Sequence, residues 1–111
     1  KTLEACELLA KEDISVELID PRTVSPLDTE TIVRSVAKTG RLLIVDESFG
    51  PCGIGAEIAA QLVERGFDDL DAPIGRVCSE DVPVPYNHYL ELAMQPSVER
   101  VVQAAKDVCY I

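Results

Sequence analysis

Few residues of this chain have types suited to chemistry, and none sits at the spacing its chemistry needs. The segment Glu47-Ser48-Phe49-Gly50-Pro51-Cys52-Gly53-Ile54-Gly55 follows an apolar run and leads into a helix-forming stretch. Glycines there could let free helix N–H groups cradle an anion. A P-loop, however, needs Lys and Ser or Thr after its last glycine, and Ala56-Glu57 stand in those places. The dinucleotide fingerprint fails as well, because its third glycine falls at Ile58. Glu57, in the first helical turn, already complements the helix dipole. A tight strand-to-helix turn is therefore the simpler account of the glycines.

Ser48 and His88 invite comparison with a nucleophile and its base. Ser48 lacks the glycine two residues before it that a nucleophile elbow requires. A lone histidine among Tyr86, Asn87 and Tyr89 fits a surface or an interface better. Cys52, near a helix start, could gain thiolate character, but no histidine or basic residue adjoins it. Cys6, Cys78 and Cys109 read as small core hydrophobes. With no C-x-x-C pair and one histidine, zinc is disfavoured, and a chain of 111 residues folds without a disulfide framework. Four buried or half-buried thiols in a reducing compartment are expected. The acidic residues Asp68, Asp69, Asp71, Glu80 and Asp81 lack EF-hand spacing, which leaves a solvated face or a protein-docking surface.

The elements that must hold these residues form one domain. Hydrophobic residues make up 47% of the chain and charged residues 27%, enough for a packed core and too apolar for disorder. The net charge of −10 repels polyphosphates, which argues against nucleic acid, and would steer a basic protein partner inward. No apolar run approaches the ~20 residues that span a bilayer.

Helical spacing predicts a helix over Lys1 to Glu12, broken by Asp13, with no capping signal before it. Ile14 to Asp20 alternates and predicts a strand; Asp28 N-caps a helix from Thr29 to Thr39, and Gly40 closes it. The continuous run in Arg41 to Asp46 predicts a central parallel strand covered on both faces. A helix over Ile54 to Arg65, a strand over Ile74 to Cys78, a helical turn near Asn87 to Ala93 and a last helix from about Ser97 to Val108, opened by Pro96, complete the order. This is an α/β fold, doubly wound about a mostly parallel sheet. A sheet of three strands is thin, and the chain opens on a bare helix. Both features suggest a further strand before Lys1, without which one flank of the sheet is an exposed edge.

Five motifs in register then carry a resemblance over the whole chain. They are Ile19-Asp20-Pro21-Arg22-Thr23-Val24-Ser25-Pro26-Leu27-Asp28, Thr39-Gly40-Arg41-Leu42, Gly53-Ile54-Gly55-Ala56-Glu57-Ile58, Leu70-Asp71-Ala72-Pro73 and Asp81-Val82-Pro83-Val84-Pro85-Tyr86. Together they resemble the transketolase C-terminal type of domain in the β subunit of thiamine-dependent 2-oxo acid dehydrogenases, a group that includes the pyruvate, branched-chain and acetoin enzymes. The resemblance implies a three-layer α/β/α domain, residues 1–111, from a longer subunit whose sheet has a strand before the first helix. It implies a parent enzyme that uses thiamine diphosphate and Mg²⁺ bound in other domains, so no catalytic, cofactor or metal residue is expected here, His88 included.

The resemblance further implies that the domain joins two β subunits beside the α subunit. It would also dock the basic peripheral subunit-binding domain of the acyltransferase core through Asp71 and the C-terminal carboxylate on Ile111. The compartment implied is the bacterial cytoplasm or the mitochondrial matrix, without membrane or nucleic acid as partner. Glu47-Ser48-Phe49-Gly50-Pro51-Cys52 and Ser79-Glu80 depart from the pyruvate-specific pattern, and Val77-Cys78 is nearer the branched-chain type, so the acid stays open. Transketolase or deoxyxylulose-phosphate synthase domains share the fold, but the sugar-contacting residues they should show are not found. A flavodoxin-like anion-binding or electron-transfer module is the alternative of another class.

Overall fold

The computed structural model describes residues 1–111 throughout. Helix α1 spans Thr2–Ala10 and begins at Lys1 without a side-chain cap. Asp13, at φ 61°, turns the chain away from it. Helix α2, Thr29–Thr39, starts where Asp28 accepts hydrogen bonds from the Thr31 amide (3.1 Å) and hydroxyl (2.7 Å). It stops at Gly40, whose φ of 70° suits a residue without Cβ, and whose N–H donates to the Val36 carbonyl.

Strand β1, Leu43–Phe49, pairs in parallel with β2, Gly75–Ser79, Leu43 lying opposite Gly75 and Val45 opposite Val77. Between them run α3, Ile54–Gly66, and a short 3₁₀ turn over Phe67–Asp69. Helices α4, His88–Met94, and α5, Val98–Val108, complete the chain. Ser97 caps α5, accepting from the Arg100 amide, and Pro96 is buried just ahead of it.

Alternate side chains of β1 feed two cores. Ile44 packs with Ile32 and Val36 of α2 and Ile58 and Leu62 of α3. Leu43 and Val45 pack on the opposite face with Ala5 of α1 and Val101 of α5. Helices thus cover both faces of a parallel sheet, the α/β/α layering expected from the apolar run.

One expected element is absent. Ile14 to Asp20 is extended, but it belongs to no sheet, and Val16 and Leu18 are each nearly half exposed. A strand exists only through its ladder, and an apolar groove of about 640 Å³ separates this segment from β1. The sheet therefore holds two strands rather than three.

Candidate functional site

Of the two residues expected to dock a partner, Asp71 lines an apolar groove at one end of the molecule, and Tyr110, the residue before Ile111, lines it too. The connector after α3 bends back so that the Asp71 N–H donates to the Gly40 carbonyl (2.7 Å). Ala72 is buried behind it, which leaves the Asp71 side chain at the surface. Beyond the same turn, Arg41 reaches the end of α5. Its guanidinium donates to the Val108 carbonyl and lies 5.5 Å from the Tyr110 ring centroid. The Ile111 amide donates to the Lys106 carbonyl (3.1 Å), which tethers the last residue to α5.

An open groove of about 530 Å³ lies between these two attachments. Val63, Phe67, Leu70, Ile74 and Tyr110 make it apolar, and Asp71 supplies its carboxylate. Phe67 and Tyr110 are both about two-thirds exposed, at 66% and 70%. Asp68, Asp69 and Asp71 take part in none of the five ion pairs of the structure, which involve Glu12, Glu17, Asp20, Glu47 and Glu80. An apolar floor with unpaired carboxylates beside it suits a basic, partly apolar partner.

Phe67 and Tyr110 were not singled out from the sequence. An aromatic residue set in an acidic connector was the available signal, and the Arg41 link to Tyr110 joins residues too distant in sequence to foresee.

The remaining candidates stay apart. Ser48 donates to the Asp46 carboxylate two residues back on β1, and no hydrogen bond joins it to His88, exposed at the start of α4. Gly53 is explained by packing, since a Cβ there would collide with the Phe49 carbonyl oxygen. Cys52 is exposed with φ 56°, against the expectation of burial, because it sits on the outside of that tight turn. Cys6, Cys78 and Cys109 are half-buried free thiols. No group of three or more His, Cys, Asp or Glu side chains is placed to hold a metal ion, and no helix is long and apolar enough to cross a membrane.

Two helical layers thus cover a parallel sheet, with an apolar groove edged by Asp71 at one end. Residues 1–101 match the family model described as "Transketolase, C-terminal domain", and the chain belongs to that family. Among curated proteins it is similar to "Pyruvate dehydrogenase E1 component subunit beta, mitochondrial" of Dictyostelium discoideum, 52% identical over 96% of this chain and 30% of that protein. It is also similar to "Pyruvate dehydrogenase E1 component subunit beta" of Rickettsia bellii, 48% identical over 98% of the chain and 34% of the relative. A rice β-2 subunit is 49% identical over 97% and 29%. The chain spans about a third of the length of these relatives.

Proposed function

We propose that this chain is the C-terminal scaffold and docking domain of a 2-oxo acid dehydrogenase β subunit. In this reading it holds β subunits together within an α/β assembly and receives a small basic domain of the acyltransferase core. The observation that supports the docking role is the placement of Asp71 and Tyr110, the neighbour of Ile111, on one apolar groove. Asp71 and the Ile111 carboxylate are its anionic contacts, and Phe67 and Tyr110 its apolar ones.

The parent enzyme's reaction is the oxidative decarboxylation of a 2-oxo acid, and the relatives' names favour pyruvate. Thiamine diphosphate and Mg²⁺ are assigned to other parts of the subunit and its partner. The compartment follows the relatives, mitochondrial matrix or bacterial cytoplasm.

Calorimetry with the full-length enzyme and the basic docking module tests the reading. Asp71→Ala should weaken binding about tenfold at low salt and less at high salt, as expected for a lost charge contact. Unchanged affinity would exclude Asp71 as a contact.

A further inference from the structure

Helix α5 ends in a turn that its own residues are poorly suited to make. The Tyr110 N–H donates to the Asp107 carbonyl and the Ile111 N–H to the Lys106 carbonyl, both at 3.1 Å. That pair of bonds makes a helix stop whose outer residue must take the left-handed conformation. Tyr110 occupies this place at φ 59°. Glycine does so without steric cost, as Gly40 does after α2, whereas a bulky side chain is strained. Burial of the ring does little to offset the strain, since Tyr110 stays 70% exposed.

The contact that holds this turn comes from the end of another helix. Arg41 directly follows Gly40, the stop of α2. Its guanidinium donates to the Val108 carbonyl and lies 5.5 Å from the Tyr110 ring centroid. The last carbonyls of a helix lack internal partners and carry partial negative charge, which favours a cation there. A ring face within ~6 Å attracts the same cation. Arg41 joins none of the five ion pairs, in a chain with 20 acidic and 10 basic residues. Its charge is directed instead at the end of α5, and the residue it clamps, Tyr110, lines the groove beside Asp71.

We infer that Arg41 is a positioning residue for the docking groove. It holds Tyr110 in a conformation natural to glycine, and so fixes the ring as a groove wall before a partner arrives. The inference rests on the docking role proposed above, and Arg41 acts in it through Tyr110 rather than by touching the partner. A contact fixed in advance loses less side-chain freedom on binding, so Arg41 strengthens docking by preorganisation. Lysine in its place keeps the charge but lacks the planar fork that serves a carbonyl and a ring together.

The test is a mutant cycle in the full-length enzyme: Arg41→Lys, Tyr110→Gly and the pair, with Asp71→Ala as the control for docking. Calorimetry reads affinity for the basic docking module, amide hydrogen exchange reads the turn at Tyr110 and Ile111, and Tm reads folding. Arg41→Lys should speed exchange at Tyr110 and Ile111 about tenfold and weaken docking about threefold. Tyr110→Gly should weaken docking about tenfold while Tm holds or rises, because glycine relieves the strained turn. A loss of binding without a loss of stability rules out misfolding as its cause. In the Tyr110→Gly background, Arg41→Lys should have no further effect on affinity. An equal effect in both backgrounds, or unchanged exchange at the turn, overturns the inference while the docking role stands. If neither Tyr110→Gly nor Asp71→Ala changes affinity, the docking role itself falls and the inference with it.

Discussion

The Asp71 carboxylate fills the space that a Cβ on Gly40 would occupy, while the Asp71 amide donates to the Gly40 carbonyl at 2.7 Å. The helix stop of α2 and the docking turn are thereby one structural unit. Gly40→Ala meets two penalties: about 1 kcal/mol for a side chain in the left-handed region, and a collision with Asp71. Denaturant unfolding should show a loss of about 2–3 kcal/mol for Gly40→Ala. In the Gly40→Ala/Asp71→Ala pair the loss attributable to Gly40 should fall to about 1 kcal/mol, because the collision is gone. Strict additivity would show that the carboxylate moves aside freely.

Phe67 and Asp71 line one groove but should act through different physics. Phe67→Ala removes apolar area from a contact about two-thirds exposed in the free chain. Affinity for the basic module should drop about tenfold at every salt concentration, since desolvation of a ring is not screened. Asp71→Asn should instead flatten the salt dependence. The same salt slope for both variants would contradict the division of roles.

Asp28 links folding to pH. Its carboxylate accepts from the Thr31 hydroxyl and then the Thr31 amide, and these bonds hold its pKa below the usual 3.8. A pKa lowered in the folded state contributes stability that is fully present above the unfolded value and lost as pH falls through the folded one. Asp28→Ala should therefore lower Tm at pH 6, with the gap to the unsubstituted chain closing below pH 3.8. Thermal unfolding across that range checks it. A gap that persists undiminished at lower pH would assign the cap to something other than the carboxylate.

Local signals carried most of this fold. Asp28 and Gly40 bound α2 as capping chemistry dictates, and the Leu42 to Val45 run lies between two helical layers. What failed was Ile14 to Asp20, whose alternation is a strand pattern in isolation. Pairing is non-local, and a groove keeps this segment apart from β1. The last helix begins within one residue of the expected Ser97, whose hydroxyl accepts from the Arg100 amide. At the site, Asp71 was legible through the Leu70-Asp71-Ala72-Pro73 motif, whereas Tyr110 is brought in from the far end of the chain beside Arg41.

The four thiols provide a map of exposure in solution. The nucleophile in alkylation is the thiolate, so both access and pKa set the rate. Cys52 projects from the tight turn ahead of α3 and is exposed. Cys6, on the buried side of α1, has its pKa pushed above the usual 9.0 by desolvation, only partly offset by a backbone hydrogen bond. At pH 8 iodoacetamide should label Cys52 first and Cys6 last, and Cys6 labelling should keep rising as pH passes 9. A peptide-resolved mass-spectrometric time course reads this directly. Because Cys6 also lines the larger groove, labelling as fast as that of Cys52 would mean that α1 detaches from α5 far more readily than their shared core of Ala5 and Val101 allows.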